Sequence, residues 1–307
     1  MWGNNVLKES ILDTIGNTPL IRLERLERIL NIDGELYAKV EYYSPGLSKK
    51  DRIAKHMIET AIRENKLKKG QTVIEKTSGN TGIALACVCS ILGYPFVAVM
   101  SKGNSKERVK MIESFNGKVV LVDQDKSSKP NRVTKKDLEL VDKEYKRLIQ
   151  ELDAYPVNQF DNEENPNTHY LYTGKEIIED LESVNAFVDY IGTGGSFYGI
   201  AKRLKEYNKN IICASVEPDK EDHIIQGGGY FKDIPFSDDK LVDDVFIVSE
   251  EESIKGMEYL SKYEGICAGI SSGANLMGAI KLLNKYGNKK VVFLLNDISL
   301  KYNSLLG

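Results

Sequence analysis

The chain is poor in the residues that build covalent or metal scaffolds. It has four cysteines in 307 residues, and only Cys87 and Cys89 lie near each other. Two residues apart on a helix, their side chains point in different directions. No disulfide framework or metal clip is expected, and all four read as reduced core residues. The three histidines, His56, His169 and His223, share no ligand spacing, so no metal site is expected either. No apolar run approaches the roughly 18 residues of a membrane span, and the opening MWGNNVLKES lacks the basic-then-apolar order of a signal peptide. A cytoplasmic protein is expected. An excess of one charge is missing too: 42 basic and 45 acidic residues are mixed along the chain, for a net charge of -3. That balance argues against nucleic acid or a membrane surface as partner and points to a small substrate. No loop carries the Lys-Ser or Lys-Thr that closes a P-loop, so an ATPase is not expected.

What the chain does have is a strand, loop, helix rhythm. Its length predicts two domains of about 100–200 residues each. Strands are expected where residues 17–21 turn into an extended run, at 34–41, in QTVIEKT, PFVAVM, residues 118–122, AFVDYI, IICASVE and KKVVFLL. Between them fall the helical stretches IALACVCSILG, KERVKMIESFNG, residues 174–181, FYGIAKRLKEY, residues 253–263 and ANLMGAIKLLNKYG. Alternation of this kind predicts α/β architecture with parallel sheets covered by helices. Residues 123–151, dense in Lys and Asp and carrying Pro130, read as a solvated loop and an exposed helix, and Gln226 to Tyr230, with three consecutive glycines, as a mobile loop.

The stretch PGLSKKDRIAKHMIETAI, residues 45–62, carries the most specific chemistry. Ser48 and Asp51 have the spacing of a capping box, so a helix is expected to start near Lys49. Its apolar positions Ile53, Ala54, Met57, Ile58, Ala61 and Ile62 recur at three and four. Lys50 extends that stripe and faces in, whereas Lys49 sits about 100° away and is expected to face out. Among apolar groups the neutral amine is favoured, and the neutral amine is the form that attacks a carbonyl to make a Schiff base. A lysine that snorkels to water is the plainer alternative.

Three loops of Gly, Ser and Thr open helices: Ser78 to Gly82, Gly192 to Ser196 and Gly269 to Gly273. Loops of this kind aim backbone N–H groups and the positive end of a helix dipole at an anion. The chain therefore suits a phosphate-bearing cofactor and a substrate carboxylate, with the lysine between them. A dinucleotide fingerprint starting at Gly192 fails at Phe197, although Glu217 ends the next strand as a ribose-binding acid would. A nicotinamide enzyme stays open as the weaker reading.

The blocks Asn17-Thr18-Pro19-Leu20, Ser48-Lys49-Lys50-Asp51-Arg52, Thr77-Ser78-Gly79-Asn80-Thr81-Gly82, Gly192-Thr193-Gly194-Gly195-Ser196, Val216-Glu217-Pro218 and Gly269-Ile270-Ser271-Ser272-Gly273 stand in this order. In that order and over nearly the whole chain they resemble the cysteine synthase and cystathionine β-synthase family of pyridoxal-phosphate enzymes. The resemblance implies a two-domain tryptophan synthase β-like fold (fold type II), with residues 1–45 and 156–307 as the large cofactor-binding domain. Residues 46–155 would form the small mobile domain that closes over the substrate. It implies that Lys50 holds pyridoxal 5'-phosphate as a Schiff base and later takes the α-proton. Gly192, Thr193, Gly194, Gly195 and Ser196 would grip the phosphate, Asn80 the ring hydroxyl, and Ser271 the ring nitrogen. Thr77, Ser78, Asn80, Thr81 and Gln159 would bind the substrate carboxylate. A homodimer is implied as well.

The departures from the family's pattern bear on the reaction. After Ile225-Gln226-Gly227 the family continues with small and apolar residues, but this chain reads Gly228-Gly229-Tyr230-Phe231-Lys232-Asp233. The closing proline-aspartate-serine-glycine block is Asn296-Asp297-Ile298-Ser299, and the double glycine before the lysine is Gly46-Leu47. These changes favour conversion of L-cysteine to hydrogen sulfide and L-serine through an aminoacrylate, with Asp233 activating water. The alternatives are O-acetylserine sulfhydrylase, a synthase that adds an amine, and a non-catalytic relative that binds a partner protein.

Overall fold

The computed structural model describes residues 7–129, 132–221, 223–225 and 227–306. The first six residues, Pro130 of the expected solvated loop and Gln226 of the glycine-rich loop lie outside these residues. Along the chain run β1 (Leu20–Arg22), α1 (Glu24–Ile29), β2 (Glu35–Val40), α2 (Lys50–Arg63), β3 (Val73–Lys76), α3 (Asn80–Leu92) and β4 (Phe96–Ser101). Then follow α4 (Lys106–Ser114), β5 (Lys118–Val122), α5 (Lys135–Leu152), β6 (Tyr155–Pro156), α6 (Glu164–Thr168) and α7 (Gly174–Asp180). The last elements are β7 (Ala186–Tyr190), α8 (Gly195–Tyr207), β8 (Ile212–Pro218), β9 (Asp244–Val248), α9 (Glu250–Glu264), α10 (Ile270–Tyr286), β10 (Lys290–Leu295) and α11 (Asn303–Leu306).

Two sheets result. The larger has the order β1-β2-β10-β7-β8-β9 and the smaller β5-β4-β3-β6. Apart from β1, which runs antiparallel to β2, the pairings are parallel. Such strands are apolar on both faces because helices cover both sides, and the all-buried AFVDY of β7 and FVAVMS of β4 show it. On one face of the larger sheet Leu276, Ala279 and Leu282 of α10 pack with Leu260 of α9, and on the other Phe197, Ile200 and Leu204 of α8 pack with Ile177 of α7. In the smaller sheet α2 and α3 form one core, and Val141, Tyr145 and Leu148 of α5 form the other. The helix read as exposed is therefore amphipathic, with one face closing the small sheet.

Other expectations also change. Gly269 caps α10 and residues 270–273 are its first turn, so this stretch is helical from the outset. Cys267 is exposed, unlike the buried Cys87, Cys89 and Cys213. The runs ERLERI and DVFIV, given no element in the sequence reading, form α1 and β9.

Strand order locates the crevices. In the larger sheet β7, β8 and β9 run one way from β7 while β10 lies on its other side; in the smaller, β4 and β5 lie on one side of β3 and β6 on the other. Ligands in open parallel sheets bind outside the carboxyl ends of strands at such reversals. The loops there are 192–196 beside 296–297, and 77–82 beside 157–159. A hollow of about 560 Å³ lined by Cys89, Tyr94, Phe96 and Asn116 lies instead toward the start of β4 and carries no comparable loops.

A buried ion cluster ties α2 to the larger sheet. Arg52 donates from Nε to Glu41 Oε2 at 2.6 Å, from Nη1 to Glu176 Oε1 at 2.6 Å and from Nη2 to Thr18 Oγ1 at 3.0 Å. Lys39 Nζ joins through Glu176 at 3.0 Å and Asp180 at 2.9 Å. Burial works to raise the Glu176 carboxyl, but the hydrogen bonds and charge of Arg52, with Lys39, hold it down at about 2. Replacing Arg52 by Met leaves the fully buried Glu41 without its cation. Denaturant unfolding at pH 7 should then show a loss of about 3–5 kcal/mol; a loss below about 1 kcal/mol would mean that the cluster does not bind α2 to the sheet.

Candidate functional site

The segment before α2 is docked on the larger sheet before the helix starts. Ser48 bridges antiparallel to Asp297, and Lys49 N–H donates to Asn296 O at 2.9 Å. Asp51 takes the capping role expected of it, accepting from Gly46 N–H at 2.7 Å and Ser48 N–H at 3.1 Å. Gly46 is needed there, since a Cβ would lie 2.4 Å from Asp51 Oδ1. Leu47 adopts φ +56°, a left-handed conformation where glycine would carry no strain.

Lys50, the first residue of α2, faces in as expected. It is half-buried, and among the described residues nothing hydrogen-bonds its Nζ. Burial, and next the charge of Lys49, push its amine down to about 7. Lys49 corrects the sequence reading. The residue is 7% exposed, with Nζ 3.0 and 3.1 Å from the Asp189 carboxylate oxygens and 2.8 Å from Ser196 Oγ. Helical spacing failed here because the start of α2 has no solvent face: Asp51, Arg52, Ile53 and Ala54 are all buried beside Lys49.

The anion loops follow. α8 starts at Gly195 after Gly194 at φ +85°, and the first N–H groups of a helix have no intrahelical partners. Thr193 Oγ1 is held by Asn165 Nδ2 at 3.1 Å. A Cβ at Gly192 would lie 3.1 Å from Gly227 O, so backbone approaches backbone there. In the smaller sheet α3 starts at Asn80, and Thr77 Oγ1 accepts from Gly79 N–H at 3.0 Å and Gly82 N–H at 3.3 Å. Thr81 Oγ1 donates to Gln159 Oε1 at 2.7 Å, which brings Gln159 to the same loop across 78 residues. The Ser78 side chain faces Gly227, whose built Cβ would lie 3.0 Å from Ser78 Oγ. Asn80 donates to Asp297 Oδ2 at 2.6 Å and accepts from Lys301 Nζ at 2.9 Å. Ser271 Oγ accepts from Asn296 Nδ2 at 3.1 Å.

The Gly227 loop thus lies against both the 192 loop and Ser78. Glu217 does not face a ribose-sized opening; it is buried, and its Oε1 accepts from Phe231 N–H at 3.0 Å, fixing the end of this loop. Asp233 is exposed on the short turn Phe231–Asp233, next to Ile234, whose Cδ1 would meet a Cβ at Gly194 at 2.2 Å. No hydrogen bond or ion pair joins it to Lys50 or Asn80 among the described residues.

The surroundings suit an anionic, ring-bearing group held through a lysine. His169 is fully buried and held well below its usual pKa by burial first and then by the charges of Lys49, Lys50 and Arg52. Tyr190 Oη, Asn296 Oδ1 and Asp297 Oδ1 are buried without partners near the strand ends. Lys49, Asp189, Asn296 and Lys301 were not anticipated. The doubled lysine and the lone acid within the apolar strand AFVDYI were the visible signals for the first two, and Asn296 stood in a block that departs from the family's pattern; nothing marked Lys301. Among the described residues no cluster of His, Cys, Asp and Glu could hold a metal ion.

Residues 11–297 match the family described as pyridoxal-phosphate dependent enzyme. The chain is 35% identical to cysteine synthase B of Campylobacter jejuni over 306 residues, covering 96% of this chain and 97% of that one. It is similar to a crystal structure of a hydrogen sulfide-producing enzyme from Fusobacterium nucleatum, with 35% identity, TM-score 0.88 and coverage of 96% and 100%. It is also similar to O-acetyl serine sulfhydrylase isoform 3 from Entamoeba histolytica, with 32% identity, TM-score 0.86 and coverage of 97% and 90%.

The depressed Lys50 amine makes a direct prediction. With folded pKa about 7 against 10.5 ordinarily, it is neutral above pH 7 and reactive where surface lysines are still protonated. Competitive acylation of the cofactor-free chain, read by mass spectrometry, should give half-maximal Lys50 labelling near pH 7; a midpoint near the ordinary value of about 10.4 would contradict it.

Proposed function

Because the chain belongs to the family of pyridoxal-phosphate dependent enzymes, and its relatives are cysteine synthases, we propose that it converts L-cysteine and water to hydrogen sulfide and L-serine by β-elimination and β-replacement. One observation carries the reading of the site: the half-buried Lys50 amine has no hydrogen-bonding partner among the described residues and is lowered to about 7, while α3 and α8 each start after a strand of one of the two sheets. The fold is that of the tryptophan synthase β type. We assign residues 46–155 to a small domain that closes over the substrate and the remainder to a large cofactor-binding domain. A homodimer and a cytoplasmic location belong to the same proposal; no helix among the described residues is long and apolar enough to cross a membrane.

Bound pyridoxal phosphate supplies an electron sink for negative charge at the substrate's α-carbon. Lys50 would hold it, loop 192–196 would take its phosphate, and Asn80 would serve its hydroxyl. Ser271 Oγ already accepts from Asn296 Nδ2, so its own proton is available to the ring nitrogen, and a neutral donor leaves that nitrogen without a formal charge. Thr77, Ser78, Asn80, Thr81 and Gln159 orient the substrate carboxylate at the start of α3. The Lys50 amine, neutral at about pH 7, takes the α-proton. The thiol would leave as sulfide; Asp233, on the turn 231–233, would accept a proton from the water that adds to the β-carbon, and Lys50 would return its proton to the α-carbon to complete L-serine.

The Fusobacterium neighbour described as hydrogen sulfide-producing supports this outcome. The cysteine synthase relatives favour the second reading, in which sulfide adds after loss of acetate from O-acetylserine. Incubation with L-cysteine and assay of sulfide, serine and pyruvate separates the two. Asp233→Asn should keep sulfide release within about twofold and slow serine formation by about a hundredfold, the usual scale of one general base. An unchanged serine yield would remove Asp233 from the mechanism; no sulfide from cysteine beside brisk cysteine synthesis from O-acetylserine would favour the second reading.

A further inference from the structure

Beneath loop 192–196 lies an ion pair that the chemistry above does not use. Asp189, the penultimate residue of β7, is fully buried; it holds Lys49 Nζ at 3.0 and 3.1 Å and accepts from Asn275 Nδ2 at 3.2 Å. Ser196, in the first turn of α8, closes the group: its Oγ accepts from Lys49 Nζ at 2.8 Å while its proton goes to Asp189. Three residues separated by 140 and 147 positions thus meet under the anion loop.

Stability alone does not account for this arrangement. Desolvating two charges costs several kcal/mol each, and a well-packed apolar pair would serve a core at least as well. What the pair adds is a fixed ammonium one hydrogen bond from the loop. We propose that Lys49 is a positioning residue for the phosphate end of the cofactor: Asp189 anchors its ammonium, and the ammonium fixes Ser196 Oγ so that the hydroxyl proton can turn from Asp189 to a phosphate oxygen. Asp189 keeps Lys49 and Asn275 when the proton turns away, so no buried carboxylate is stranded. This rests on the reading that loop 192–196 holds the phosphate.

Comparing pyridoxal phosphate with pyridoxal isolates the phosphate end. Equilibrium titration of the cofactor-free full chain should show that Lys49→Met with Asp189→Ala, which removes both charges together, weakens pyridoxal phosphate about 10- to 100-fold. Pyridoxal binding should change less than about twofold, and thermal unfolding of the cofactor-free chain should not fall. Ser196→Ala leaves the ion pair in place and should give the same phosphate-specific loss, which keeps the test open if the double variant does not fold. Unchanged pyridoxal phosphate affinity in either variant would overturn the proposal, as would equal weakening of both ligands. Thr193→Val with Ser196→Ala tests the loop itself: if it leaves the preference for pyridoxal phosphate over pyridoxal intact, the phosphate reading fails as well. If it abolishes that preference while the Lys49/Asp189 variant keeps it, only the role of Lys49 fails.

Discussion

Two adjacent lysines enter one interior, and the site depends on their being treated differently. Lys49 meets the Asp189 carboxylate and the Ser196 hydroxyl. Lys50, one residue on, meets no hydrogen-bonding partner among the described residues, so burial and its neighbour's charge lower its amine toward neutral pH. Had Asp189 been placed to hold Lys50, the charged form would have been favoured and a nucleophile lost. The choice between them is made by backbone. The bridge from Ser48 to Asp297 sends Lys49 toward the larger sheet, and the helix that begins at Lys50 sends the next side chain into the cleft.

The rest of the cleft is assembled around that amine from the ends of two sheets. Loops at both strand-order reversals present helix starts, one from each sheet, and Asn80 and Asp297 meet between them. The segment after β10 ties these parts together. Lys301, itself buried, donates to Gly46 O at 2.7 Å, Leu47 O at 3.0 Å and Asn80 Oδ1 at 2.9 Å. Burial brings its amine down to about 8, less far than Lys50, because Asp297 and Asp51 act against the shift. It also holds the carbonyl of Leu47, the residue in the left-handed conformation, so a single cation supports both the strained turn before the lysine and the asparagine of the opposite loop.

Much of this was legible in the chain. Apolar periodicity gave α2, α3, α8 and α10, and apolar runs gave the central strands, because elements buried on both sides leave little room for polar residues. The loops before α3 and α8 were visible because clustered glycine and hydroxyl residues between a strand and an apolar run mark a turn into a helix start. Lys49 was misread because the apolar stripe alone was taken to define the inner face, whereas Asp51, Arg52, Ile53 and Ala54 at the start of α2 are all buried. The inner face of α5 was masked by its Lys and Glu content, although Val141, Tyr145 and Leu148 recur at four and three. Lys301, brought in from far along the chain, carries no local signal, and the departing block showed that Asn296 differs without showing what it touches: both are placed by β10 pairing between β2 and β7.

The account's central claim is the division of labour between Lys49 and Lys50. Borohydride reduction of the holoenzyme, followed by proteolysis and fragment mass spectrometry, locates the lysine that carries the cofactor. The account predicts a pyridoxyl group on Lys50 with Lys49 unmodified; a pyridoxyl group on Lys49 would contradict it.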